Sequence, residues 1–185
     1  MYVLSLKEFN VENIQSAFFF FLLRALGKSL DFLNLKRVYL IFLPLYAIGA
    51  LIYVFKENVP SEIIDSIPNL FAFFGFVFVL KSFSERKSPF LAWTLIVLSH
   101  FWIAMAILFN EKVTASELIM YLSGITISGI IGYISLLQLK KLEKRILINH
   151  YLGHVYDHPI FALSFLIAAL GVTGFPITST FIGED

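Results

Sequence analysis

The residues of this chain that could do chemistry gather near its end. Glu184 and Asp185 close the sequence, behind the run Gly171-Val172-Thr173-Gly174-Phe175-Pro176-Ile177-Thr178-Ser179-Thr180-Phe181-Ile182-Gly183. Pro176 has no N–H for the carbonyl one turn back, and Gly171 and Gly174 are permissive neighbours, so a helix crossing this region is expected to break. Broken backbone inside a bilayer is tolerated only where it is buried in protein or lines a polar cavity. Thr173, Thr178, Ser179 and Thr180 bring hydroxyls to the freed backbone groups, and transporters place ion sites at such discontinuous helices. Glu184 then has two readings. It is a membrane-embedded carboxylate that carries a proton, or the stretch from Pro159 completes a crossing and both acids emerge on the far side.

Histidines form the second group. In His150-Tyr151-Leu152-Gly153-His154-Val155-Tyr156-Asp157-His158 the three imidazoles stand at i, i+4 and i+8, one edge of a helix. Neutral imidazoles at that spacing, with Asp157 beside them, could hold zinc or another divalent ion. They could also gather protons at the mouth of a pathway, because His titrates near neutrality. Interfacial His and Tyr equally need no function. His100 stands alone in an apolar stretch, beside Ser99 and Trp102. An ionisable group there faces a partner or a cavity: a structural imidazole bonded to a hydroxyl or carbonyl, or a proton relay.

Several classes drop out. With no cysteine there is no disulfide, thiolate zinc site, iron–sulfur cluster or cysteine nucleophile. Four histidines are too few for a membrane di-iron oxygenase. No phosphate-binding loop, nucleophile elbow, His-Glu-x-x-His or dinucleotide fingerprint occurs, so nothing argues for an enzyme beyond a translocase subunit, and no cofactor is expected. A net charge of +1 with no basic tail gives no reason to expect nucleic acid as a partner.

The elements that must position these residues are membrane spans. Of 185 residues, 58% are hydrophobic and only 15% charged, more apolar surface than one soluble core of this length hides. Long uncharged stretches alternate with short charged ones, the pattern of helices needing about 20 apolar residues to cross. Five spans are expected: 38–55, 67–83, 90–109, 115–139 and one starting near Pro159. The second is short, with Lys81 snorkelling to the interface at its end. The linkers alternate between basic segments (Arg24, Lys28, Lys36 and Arg37; Lys81, Arg86 and Lys87; Lys140, Lys141, Lys144 and Arg145) and sparse ones. That places the basic loops in the cytoplasm of a bacterial inner-membrane protein. Residues 1–36 form a separate N-terminal unit, in which Phe18, Leu22, Leu26, Leu30 and Leu33 recur at helical spacing and suit an interfacial helix in preference to the end of a span whose beginning is missing. Residues 37–185 form the transmembrane bundle. Within it Gly124, Ser128 and Gly132 make a small-residue stripe, with Gly129 beside it, that admits another helix closely, inside the chain in preference to a dimer face.

The segment from Phe161-Ala162-Leu163-Ser164-Phe165 through Gly171-Val172-Thr173-Gly174-Phe175-Pro176 to Phe181-Ile182-Gly183-Glu184 resembles one helix of the antiporter-like membrane subunits. These occur in respiratory complex I, Mrp-type sodium/proton antiporters and related inorganic-carbon uptake systems. In that family a Gly/Pro-broken helix precedes a short Phe-containing stretch and a key ionisable residue. The resemblance puts Glu184 in the key position and Asp185 in the acidic place that often follows. It implies an all-α, polytopic subunit moving protons or monovalent cations, working with other membrane subunits, and completed by further helices in this or another chain. The family's Lys- and Glu-bearing helices of the first half are absent here, and a single proline stands where two are common. The other reading is a non-catalytic membrane scaffold.

Overall fold

The structure, a computed structural model, describes residues 17, 18, 21, 25, 27–109, 113–143, 146, 153–176 and 178–182. From Leu35 on, the described residues form seven α-helices, one 3-10 turn (Lys56–Asn58) and no strand: α1 (Leu35–Val54), α2 (Ser61–Ser84), α3 (Pro89–Leu108), α4 (Ala115–Leu142), α5 (His154–Asp157), α6 (Pro159–Val172) and α7 (Ser179–Ile182). The protein is all-α. Helices α1 to α4 are each long and apolar enough to cross a membrane, whereas α6 is an apolar helix of 14 residues. At 1.5 Å per residue α1 spans about 30 Å, the thickness of the hydrocarbon layer, and α6 only about 21 Å.

Local sequence sets where these helices start. The Asn34 side chain accepts the Arg37 N–H (3.0 Å) at α1, and Ser88 accepts the Leu91 N–H (3.2 Å) ahead of Pro89 at α3. At α4, Thr114 and Glu117 exchange side-chain and backbone bonds in a capping box. Each such cap contributes about 1 kcal/mol. The second span is longer than its uncharged core: α2 starts at Ser61 and runs through Glu62, Asp65 and Pro68. Carboxylates suit the positive end of a helix dipole, so those charges extend the helix where the hydropathy reading ended it. Helix α4 likewise continues past Leu139, with Lys140 and Lys141 in its last turn.

Side-chain contacts give the direction of each helix. Phe42 meets Trp102 and Tyr53 meets Phe109, so α1 runs parallel to α3. Phe71 meets Phe109 while Phe78 meets Trp102, so α2 runs against α3. Phe90 meets Tyr133 and His100 meets Tyr121, so α4 also opposes α3. The helix ends carrying Lys36, Arg37, Lys81, Lys140 and Lys141 therefore share one end of the bundle.

Helix α3 sits at the centre. Half of its apolar window is buried inside the protein against 17% for α1, so α1 turns most of its apolar surface outward. Trp102, 1% exposed, anchors the first core, ringed by Phe42, Phe71, Phe74 and Phe78 at 5.2–6.2 Å between ring centres. A smaller second core joins Trp93, Leu136, Ala168 and Val172 between α3, α4 and α6. The outward faces carry Leu40, Leu43, Leu51, Leu70, Phe73 and Phe76, all more than half exposed. Contiguous apolar surface of that kind fits lipid, and the chain is a polytopic helical membrane protein. Ahead of α1, residues 17, 18, 21, 25 and 27–29 are helical, with Phe18 and Phe21 exposed; Leu22 and Leu26 lie outside the described residues. Leu33, placed by sequence on the same apolar stripe, is buried in the first core.

Candidate functional site

The expected break in the last apolar segment is present, and its three residues do different things. Helix α6 ends with the Thr173 N–H on the Ala169 carbonyl and the Phe175 N–H on the Leu170 carbonyl, both 3.0 Å. Gly174 lies between them at φ 71°, a left-handed conformation that costs glycine nothing and other residues about 1–2 kcal/mol. This is a Schellman ending, with Pro176 two residues beyond Gly174 preventing continuation. Gly171 serves packing: a Cβ there would run into the Ser128 hydroxyl of α4. Thr173 Oγ1 donates to the Leu170 carbonyl (3.1 Å) and Thr178 Oγ1 to the Phe175 carbonyl (2.8 Å). Two of the four hydroxyls picked from sequence thus cover carbonyls the break frees.

Thr180 differs. It is 1% exposed on α7, which packs against α4, and its hydroxyl has no hydrogen-bond partner among the described residues. An unpaired buried hydroxyl costs about 1–3 kcal/mol. Glu184 and Asp185 follow directly in sequence and lie outside the described residues, as does His150.

The histidine edge is interrupted. Gly153, at φ 66°, opens the four-residue α5, and His158, at φ −137° and ψ 60°, separates α5 from α6. His154 and His158 therefore do not share one continuous helix, which removes the geometric basis for i, i+4 presentation. Glycine freedom before and Pro159 after are the physical reasons. Asp157 is exposed, and among the described residues no three His, Asp or Glu side chains converge as metal ligands.

His100 has a partner that sequence could not name. Its Nδ1 lies 2.6 Å from the Tyr121 hydroxyl of α4, twenty-one positions away. The residue is twelfth of the twenty in α3, near the middle of the span. A neutral imidazole bonded to a hydroxyl is what the midplane demands.

The small-residue stripe is used within the chain. Gly124 and Gly132 are buried in α4, and Ser128, half-buried, meets Gly171. A Cβ on Gly132 would enter the indole of Trp93, whose Nε1–H donates to the Gly129 carbonyl at 2.9 Å. Close approach here lets a tryptophan reach a helix backbone.

One cluster was missed. Lys81 does not snorkel to the surface; its side chain is 2% exposed and its Nζ lies 3.0 Å from Asp31 Oδ1 and 3.2 Å from Glu85 Oε2. Glu85 Oε1 in turn accepts the N–H groups of Lys87 (2.9 Å) and Ser88 (3.1 Å). Ser82 Oγ donates to the Ala92 carbonyl at 2.8 Å, and Gly27 lies close against Ser84. The Lys81 ammonium thus ties the chain ahead of α1 to the α2–α3 turn. Its hydrogen bond and charge hold the Asp31 carboxyl below the usual range. The i, i+4 spacing of Lys81 and Glu85 was legible; Asp31, fifty positions away, left no sequence signal.

Comparison of the chain with protein-family models, with curated proteins and with solved structures finds no match.

Proposed function

We propose that this chain is a proton- or monovalent-cation-translocating membrane subunit, antiporter-like in mechanism, working with other membrane subunits in a bacterial inner membrane, basic loops inward. One observation carries the reading: an apolar segment ends at Val172, turns through Gly174 and Pro176, and resumes at Ser179 against α4, with the buried Thr180 hydroxyl unpartnered among the described residues. Unwound backbone and hydroxyls are the materials of ion sites in discontinuous helices. In this mechanism Glu184 exchanges protons beyond the break, with Asp185 beside it. His100 and Tyr121 pass them across the α3–α4 contact, and His150, His154 and His158 collect them at the cytoplasmic end.

The test is Glu184→Gln in the native complex, with proton movement followed by a pH-sensitive dye in sealed vesicles. Loss of proton-coupled transport with normal assembly is expected; unaltered transport ends the proposal. A second reading, a non-transporting scaffold, rests on the pairing of His100 with Tyr121 inside the fold and on the wide apolar face of α2, where Leu70, Phe73 and Phe76 are exposed. On that reading Glu184 and His100 tolerate neutral replacement.

A further inference from the structure

An apolar groove of about 320 Å³, open on one side, runs between α1, α3 and α4. Tyr39 stands on its α1 side, Trp93, Val97 and Phe101 on α3, and Ile130 and Tyr133 on α4. Its volume is at the lower end for a ligand site, enough for part of one flexible chain. A helix backbone cannot seat deeply in it. The glycines that would admit one, Gly129 and Gly132, are already met by Val97 and Trp93.

The charge at one end of the groove names the occupant. Lys36 lies one turn before Tyr39 on α1, and Lys140 two turns beyond Tyr133 on α4, at the same end of the bundle. The Lys140 ammonium stands over the Phe90 ring (5.3 Å), which packs on Tyr133 (5.5 Å), so cation and groove wall are continuous. The carboxylates Asp31 and Glu85 at this end are taken by Lys81. Lys36, Lys140 and Lys141 are exposed and make no ion pair among the described residues.

We propose that this groove holds one acyl chain of an anionic phospholipid, its phosphate lying between Lys36 and Lys140. The apolar walls take the chain, and the two ammonium groups take the phosphate. A free anion would lack the apolar contact, and a zwitterionic lipid would lose the charge preference. Each lysine near an anionic surface strengthens binding by roughly fivefold.

Tryptophan quenching tests this on the full chain in nanodiscs. Bromine on an acyl chain quenches indoles it touches; Trp93 lines the groove and Trp102 is enclosed in the core. Brominated phosphatidylglycerol in a phosphatidylcholine disc is expected to quench at several-fold lower mole fraction than brominated phosphatidylcholine. The Lys36→Gln/Lys140→Gln double variant should bring the two lipids together, and Ile130→Phe should reduce quenching by both. Equal quenching by the two lipids in the unaltered protein overturns the proposal. So does quenching that disappears as the protein-to-lipid ratio rises, the sign of a second copy on this face.

Discussion

Replacing Gly132 by alanine adds one methyl group, and its cost follows from the geometry of a single contact. The new Cβ would stand 2.5 Å from Trp93 Cε2 and 2.9 Å from Cη2, where carbon atoms rest at about 3.5–4.0 Å. Cζ2 is closer still, so the indole must withdraw by more than about 1 Å. It is held by its Nε1–H bond to the Gly129 carbonyl (2.9 Å) and by the Phe165 ring, 5.0 Å between centres. Such a withdrawal stretches the hydrogen bond beyond useful length. Overpacking costs about 1–3 kcal/mol and the bond about 1 kcal/mol, so about 2–4 kcal/mol is expected. For a chain of this size that lowers Tm by about 4–16 °C. Thermal unfolding in detergent, followed by tryptophan fluorescence, reads both the Tm and the environment of Trp93. A Gly132→Ala protein melting within about 2 °C of the original with an unchanged spectrum would refute the argument, because the contact would then not be close.

Three further outcomes follow from other contacts. Lys81→Met leaves the Glu85 carboxylate, 9% exposed, without its cation; a loss of about 3 kcal/mol in unfolding is expected, at the low end because two N–H bonds to Glu85 remain. A stability equal to the unaltered protein would show that the cluster carries nothing. Because Lys81 depresses the Asp31 pKa, the stabilisation is complete above the ordinary value of 3.8 and is lost as pH falls through the lower folded value. The stability gap between the protein and Asp31→Asn should therefore be flat at neutral pH and close only in acid, and a gap that persists at the acid end contradicts the assignment. Tyr121→Phe deprives His100 Nδ1 of its partner and should cost about 0.6–1.7 kcal/mol in a membrane setting; if transport is measured and survives in that variant, the pair is structural.

The chain's own order was enough to determine its class and its four long spans, while the fifth span expected from Pro159 is a helix of only 14 residues, because Gly174 and Pro176 end it early. Apolar stretches of about the bilayer's thickness, separated by charge, leave a helix little alternative, since only internal hydrogen bonds satisfy backbone groups in lipid. The break near Gly174 and Pro176 was equally legible, because a missing N–H and a left-handed residue act locally. The start of α2 at Ser61 was not, since charges that end an apolar window also favour a helix N-terminus. That His154 and His158 do not share a helix was hidden for a related reason: periodicity assumes one continuous helix, and His158 separates α5 from α6.

Pairings across the bundle needed the tertiary structure. Asp31 with Lys81, His100 with Tyr121, Trp93 with Gly129 and Gly171 with Ser128 join residues far apart in the chain, and no spacing rule reaches that far. The sequence shows which residues need a partner, because a buried charge, imidazole or indole N–H is costly alone. Which partner each one finds depends on how the helices rotate against one another, and that is settled by side-chain packing summed over whole faces.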